Sequence, residues 1–214
     1  MVFSHTQALT THYSWTSTTL ISSAPMRLIA TSPLAVAVSK ASGLGFLGLG
    51  TDISTFPSLL NEAATALHSS PIAKTPPHIL PIGVGFICWG ADLSTALSII
   101  QSAPLKPVAA WLFAPQDPKG LTTWTEGIRI ESSGKTKIWI QVGTVAMALD
   151  VAKSCKPDVL VIQVSLVSYG IAVCCLRAQS FGVSPSLHEY LSLKLRSSAP
   201  QLLSSLLHFR TFPY

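Results

Sequence analysis

The chain has 214 residues, of which 48% are hydrophobic and only 11% are charged, and its formal net charge is +5. This length suits one large domain or two small ones, and the apolar content is ample for a core. No run of basic residues is interleaved with aromatic ones, so the composition gives no support to a nucleic-acid-binding function.

The four cysteines, Cys88, Cys155, Cys174 and Cys175, do not have the spacing of zinc ligands, and no metal site is expected. They are typical of free thiols in a reducing compartment, and the N-terminus lacks the basic and apolar regions of a secretory signal. Residues 159–176 form an uncharged run near the lower length limit for a membrane span, but Gln163 within it disfavours insertion. A cytoplasmic protein is therefore expected.

Apolar strands and amphipathic helices alternate from residue 20 onward. The predicted strands cover residues 20–25, 44–50, 78–89, 107–115, 135–144 and 157–163. The predicted helices begin near Pro33 and then cover residues 53–70, 91–103, 122–131 and 144–155. Lys106, just before the fourth strand, is expected to be solvated.

The strands are short, continuous apolar runs, which indicates burial on both faces and a parallel sheet covered by helices. Both a doubly wound open sheet and a (β/α)8 barrel have this pattern. The sequence pattern alone leaves the two architectures open.

Gly43, Gly45 and Gly48 match the G-x-G-x-x-G pattern of dinucleotide-binding loops. Such a loop needs a strand before it and a helix after it, so that the helix N-terminus meets the pyrophosphate. Here the predicted helix precedes the glycines and the predicted strand runs through them. We therefore interpret the motif as the end of a helix followed by a tight turn into a strand.

Several segments, in order along the chain, resemble one enzyme family. SAPMRLIATSPLAVAVSKASGLGFLGLGTD resembles the opening of the nitronate monooxygenases, formerly called 2-nitropropane dioxygenases, while LPIGVGFICW and KTKIWIQVGTVAMALDVAKSCKPDVLVIQ resemble their third strand and their fifth and sixth strands. The lead-in YSWTSTTLISSAPM is similar to fungal-type members, so the resemblance covers residues 13–163. It implies a TIM-type (β/α)8 flavin barrel, incomplete here with about six β/α units. It also implies FMN-dependent oxidation of alkyl nitronates by O2 to a carbonyl compound and nitrite.

Barrel enzymes bind their ligands at the C-terminal ends of the strands. The family sets the Ala24–Pro25–Met26 segment against the flavin, although Pro25 and Met26 would also serve as turn and core residues. Gly85 would let backbone approach the cofactor, or would simply form a turn. Gln141 and Gln163 each end an apolar strand, where a buried amide needs a partner that flavin or substrate can supply. The expected cofactor-binding residues are Ala24, Pro25, Met26, Gly85, Gln141 and Gln163.

The resemblance stops at Gln163. The family continues with a G-x-D/E-A-G-G-H-G loop that carries the proposed catalytic histidine, whereas this chain continues with VSLVSYGI. The later glycine-rich loops that hold the FMN phosphate also have no counterpart. The catalytic residue is therefore unknown, and neither His188 nor His208 is given that role.

These observations divide the chain into a partial FMN-binding barrel, residues 1–163, and an atypical Ser/Leu-rich tail without an assigned domain, residues 164–214. One hypothesis for the tail is a translated intron that begins at Val164.

Three functional classes remain open at this point. The first is a nitronate monooxygenase-like oxidoreductase that takes a small-molecule nitronate and O2. The missing histidine and phosphate loops count against activity of this chain. The second is another FMN barrel oxidoreductase of the enoyl-reductase type, and the third is a non-catalytic truncated remnant. No nucleic-acid or membrane partner is expected, and the sequence leaves the oligomeric state open.

Overall fold

The computed structural model describes residues 9, 11–17, 20–115, 117–165 and 171–177. Helices and strands alternate through most of this part of the chain. The helices are α1 (Ser32–Lys40), α2 (Phe56–Ser69), α3 (Leu93–Ser102), α4 (Pro118–Glu131) and α5 (Val145–Ser154). The strands are β1 (Gly45–Gly50), β2 (Ile79–Ile87), β3 (Lys106–Phe113), β4 (Lys137–Val142), β5 (Val159–Ser165) and β6 (Ile171–Arg177).

The strands form one sheet in the order β1-β2-β3-β4-β5-β6. The first five are parallel to their neighbours and follow one another in chain order. Because right-handed crossovers between successive neighbours all fall on one side, this order places every connecting helix on the same face. A doubly wound sheet would instead reverse its strand order and carry helices on both faces. The prediction of an incomplete TIM-type α/β barrel is thereby confirmed.

The first predicted strand, residues 20–25, is reduced to a single parallel bridge between Ser22 and Leu44. The amide of Ser23 donates to the carbonyl oxygen of Leu44 at 3.1 Å, and the amide of Leu44 donates to that of Ile21 at 2.9 Å. The next residue able to extend this ladder would be Pro25, which has no N–H to donate. The prediction of a full strand here was wrong: five parallel strands and one bridge take the place of the six parallel strands expected.

The strand that follows Gln163 breaks the parallel pattern. β5 continues to Ser165, and β6 then pairs with it in antiparallel register, from Ser165 opposite Ile171 to Val159 opposite Arg177. β6 therefore occupies the edge of β5 along which a further parallel strand would add. The tail beyond residue 177, including His188 and His208, lies outside the described residues.

The helix-covered face of the sheet carries the larger core. Leu47, Val84, Leu112 and Ile140 each point from a different strand into this core and are fully buried. Burial of one such side chain contributes about 1.5–3 kcal/mol to stability. The strands in the middle of the sheet are thus held from the helix side by ordinary apolar packing.

The opposite, inner face is packed with aromatic side chains. The ring of Trp111 lies 5.2 Å from that of Phe46 and 5.6 Å from that of Trp139, measured between centroids. Tyr13 and Trp15, from the N-terminal segment, complete this aromatic cluster (Tyr13, Trp15, Phe46, Trp111 and Trp139). The interior of the incomplete barrel is therefore a filled core.

The glycine motif lies where the sequence predicted a helix end and not a phosphate loop. Ser42 has a left-handed backbone with φ of 64°, its amide donates to Ser39, and the amide of Gly43 donates to the carbonyl oxygen of Val38 at 3.0 Å. These two bonds form the Schellman motif that terminates helices. β1 then runs through the remaining glycines, so helix α1 precedes the motif.

Lys106 is only half-buried, but its ammonium group binds backbone carbonyls and is not simply solvated as predicted. Its ammonium nitrogen Nζ donates to the carbonyl oxygens of Ile100, Gln101 and Ala103 at 2.7–2.8 Å. These carbonyls belong to the last turn of α3 and to its C-cap residue, where no intrahelical donor is available and where the helix dipole favours a cation. Sequence position alone could not show that the chain folds Lys106 back onto the preceding helix.

Candidate functional site

Three side chains form a hydrogen-bonded series at the C-terminal end of the inner face, which we call the glutamine relay (Trp111, Gln141 and Gln163). Nε1–H of Trp111 donates to Oε1 of Gln141 at 3.1 Å. Nε2 of Gln141 in turn donates to Oε1 of Gln163. Both glutamines are half-buried, so they partner each other while remaining accessible from the edge of the sheet.

The strand register explains why the two glutamines meet. Gln141 on β4 lies opposite Val161 on β5, and Gln163 follows two residues later on the same face. Trp111 projects from the neighbouring strand β3 onto that face as well. The relay therefore spans three adjacent strands at the edge where barrel enzymes bind their ligands.

The segment Ala24–Pro25–Met26 lies across two glycines of the inner face. A Cβ atom at Gly85 would fall less than 3.0 Å from Cβ of Pro25, and one at Gly48 would fall less than 3.0 Å from the carbonyl oxygen of Met26. A side chain at either position would collide with the segment. Gly85 lies inside β2 and not in a turn, and the group that approaches it in this structure is the ring of Pro25.

The register also joins this segment to the relay. Gly48 is the partner of Gly85 across β1 and β2, and Gly85 is the partner of Trp111 across β2 and β3. Met26 is 49% exposed. Among the described residues, a Cβ atom at Gly143, beyond Gln141, would meet only the carbonyl oxygen of Gln163, at 3.9 Å. The structure thus gathers the six predicted residues at one end of the sheet, with solvent access at both sides.

Two titratable groups near this edge, Asp52 and Cys88, do not have the properties of a base or a nucleophile. Asp52, after β1, accepts a hydrogen bond from the amide of Ser54 at 3.0 Å. That bond, with a smaller contribution from Arg27, lowers the pKa of its carboxyl group. Cys88, after β2, is held protonated because burial raises the pKa of its thiol to about 12. The polar chemistry offered here comes from the amides and the indole.

Two further properties bear on function. Among the side chains that the structure describes, no group of three or more His, Cys, Asp or Glu could hold a metal ion. The described helices are all too short or too polar to cross a membrane.

Comparison with known proteins shows which family the chain resembles. No family model matches the chain. The nitronate monooxygenase npaC of Metarhizium robertsii is 45% identical over 160 residues, which are 73% of this chain and 44% of that protein. The nitronate monooxygenase of Neurospora crassa is 35% identical over 178 residues, covering 73% of this chain and 46% of that protein. The resemblance to nitronate monooxygenases is confirmed. The chain spans less than half the length of these relatives.

A solved structure supports the fold. FabK from Thermotoga maritima, solved as a mutant, superposes with a TM-score of 0.53 at 18% identity and covers 71% of this chain and 44% of FabK. At this identity the likeness concerns the fold alone, and it agrees with an incomplete barrel.

Sequence reasoning missed Trp111. A signal for it was present, because alternation along β3 places Trp111 on the inner face with Ala109. A buried indole N–H needs an acceptor, and a glutamine at the end of the next strand is a suitable one. The pairing of Gln141 with Gln163 was missed too, since it depends on a register that the sequence does not reveal.

Proposed function

We propose that this chain carries the flavin-ring end of the site of a nitronate monooxygenase-like, FMN-dependent oxidoreductase. The observation that carries the proposal is the glutamine relay at the carboxyl edge of the parallel strands, beside the Pro25–Met26 segment. Two relatives with at least 35% identity carry the name nitronate monooxygenase, which supports the same reaction class. In this proposal residues 1–163 form the flavin-binding unit, the protein is cytoplasmic, and the substrates are a small nitronate and O2.

The residues present fit a flat, polar-edged ring. The half-buried amide of Gln163 can donate to a ring heteroatom, and Met26 offers an exposed apolar side chain to a ring face. Ala24, Pro25 and Gly85 build the backbone on which Met26 is presented. When bound, FMN supplies the redox chemistry, while the protein supplies position and hydrogen bonds.

The described residues suit the flavin ring better than they suit binding of the FMN phosphate or transfer of a proton. In the family, both the phosphate loops and the catalytic histidine follow the strand to which Gln163 belongs here. Along the described carboxyl edge, Asp52 has a lowered pKa and Cys88 a raised one, so neither is suited to remove an α-proton at neutral pH. A positioned general base contributes about 10²–10⁴-fold in rate. We therefore expect weak FMN binding and little nitrite from neutral nitroalkanes, with preformed nitronates as the residual substrates.

The test measures FMN retention after gel filtration and nitrite release from propyl-2-nitronate. Gln163→Leu should weaken the residual flavin binding and leave the fold largely intact, because it removes a polar partner without removing volume. Gln101→Leu, at an exposed position of α3, is the matched control and should behave as wild type. Equal flavin binding by the wild-type protein and Gln163→Leu would overturn the proposed site. Stoichiometric FMN binding with rapid turnover of nitroalkanes would overturn the expectation of reduced activity.

A further inference from the structure

The donor-only chemistry of one indole determines how the two glutamines are oriented. A tryptophan Nε1–H can donate a hydrogen bond and cannot accept one. The atom of Gln141 that faces Trp111 must therefore be Oε1, as found at 3.1 Å. This leaves Nε2 of Gln141 pointing onward, and the atom of Gln163 that receives it must be Oε1. Each step follows from the one before it, starting from Trp111.

The direction of the starting donor is fixed by packing. Trp111 is 1% exposed, and its ring is wedged between Phe46, edge-on at an interplanar angle of 87°, and Trp139 at 35°. A ring held on both sides cannot rotate to withdraw its N–H. By contrast, the two half-buried amides could flip at little steric cost, because their oxygen and nitrogen ends have nearly the same shape.

We propose that Trp111 is a positioning residue whose N–H fixes the amide orientation of Gln141 and Gln163, so that Gln163 presents N–H donors to the ligand. With Oε1 of Gln163 accepting from Gln141, Nε2 is the donor end left on this half-buried amide. The site then selects a ligand with a hydrogen-bond acceptor on this edge, such as a carbonyl or imine atom of a flavin ring. The ligand part of this inference rests on the proposed function; the orientation part does not.

The first experiment observes the side-chain amides directly by NMR of protein labelled with 15N-glutamine and needs no ligand. We expect slow solvent exchange for the Gln141 amide protons and fast exchange for those of Gln163. Trp111→Phe keeps an aromatic ring and removes the N–H, so it should erase this difference. Trp139→Phe is the matched control, because its N–H belongs to the same aromatic cluster but donates to Tyr13. Unchanged glutamine exchange in Trp111→Phe would overturn the proposal.

A second variant tests the same idea without altering the aromatic core. In Gln141→Glu, the new carboxylate accepts a hydrogen bond from Nε1–H of Trp111. It cannot donate one, so Gln163 must turn its N–H group toward it. The amide of Gln163 should therefore turn round, so that its protons change from fast to slow exchange and its oxygen faces the site. Fast exchange at Gln163 in this variant would contradict the relay.

Riboflavin binding then tests the ligand part of the inference separately from the orientation of the amides by Trp111. Riboflavin affinity should fall about 2- to 10-fold in Trp111→Phe, the usual effect of one net hydrogen bond, and also in Gln141→Glu, but not in Trp139→Phe. If the exchange pattern is as expected and riboflavin binds none of the proteins, the proposed function fails and the orientation by Trp111 stands. If riboflavin binds and Trp111→Phe changes neither affinity nor exchange, the role of Trp111 fails and the proposed function stands.

Discussion

Nε1–H of Trp139 donates to the phenolic oxygen of Tyr13 at 2.6 Å, joining two buried residues that are 126 positions apart. The two rings also meet edge to face, with centroids 6.0 Å apart. Through this contact the N-terminal segment covers the inner face of the sheet, a position that a complete barrel fills with side chains from its other strands. The segment before the first helix is therefore part of the core.

Tyr13→Phe should lower the free energy of unfolding by about 1–3 kcal/mol, because it leaves the buried N–H of Trp139 without its acceptor. Urea unfolding followed by tryptophan fluorescence measures this change. Replacing both partners, in Tyr13→Phe with Trp139→Phe, should cost less than the sum of the two single changes. Strict additivity would show that the bond contributes nothing.

Lys106→Met should destabilise the protein by about 1–3 kcal/mol, since three carbonyl oxygens at the end of α3 lose a charged donor. Lys119→Met is the matched control, because that side chain is exposed on α4. Thermal unfolding followed by circular dichroism compares the two variants. A loss of stability no greater in Lys106→Met than in Lys119→Met would return Lys106 to the solvated role that its sequence position suggested.

The thiol of Cys88 should resist alkylation in the folded protein. Burial raises its pKa from 9.0 to about 12, so the thiolate fraction at pH 8 is about 1,000-fold smaller than in the unfolded chain. Iodoacetamide labelling at pH 8, with and without urea, followed by peptide mass spectrometry, tests this at Cys88 alone. Fast labelling of the folded protein would mean that the group is solvated.

The same raised pKa predicts an alkaline loss of stability. Between pH 9 and pH 12 the unfolded chain releases the Cys88 proton while the folded chain retains it. The unfolded state then binds fewer protons, so the free energy of unfolding falls as the pH rises through this window and is unaffected below it. Cys88→Ala should remove this part of the slope in urea titrations between pH 8 and pH 10.5. An unchanged slope would assign the alkaline loss to other groups.

Much of the fold could be predicted because its signals are local. The apolar runs of β1 to β5 and the proline near the start of α1 lie within single elements, and the structure places those elements as expected. Residues 20–25 were misjudged because strand formation depends on a partner, and only Ser22 finds one. β6 was missed for a similar reason, since its pairing with β5 is antiparallel and no clear period marks the tail.

The candidate site was predictable only in part. Gln141 and Gln163 are polar residues near the C-terminal ends of apolar strands, which the sequence displays. That they bond to each other, and that Trp111 sets their direction, depends on register and ring packing across three strands. Likewise, the sequence marks Gly85 as a place of close approach but not Pro25 as the group that approaches it.

The central claim is that this chain holds the ring end of a flavin site without its phosphate end, and one comparison tests it most directly. FMN and riboflavin are titrated into the purified full chain, and their dissociation constants are compared by the quenching of flavin fluorescence. We predict weak, saturable binding of both, with constants that agree within about 3-fold, because a phosphate without charge-assisted partners adds little affinity. FMN that binds more than about 10-fold more tightly than riboflavin, or no saturable binding of either compound, would contradict the claim.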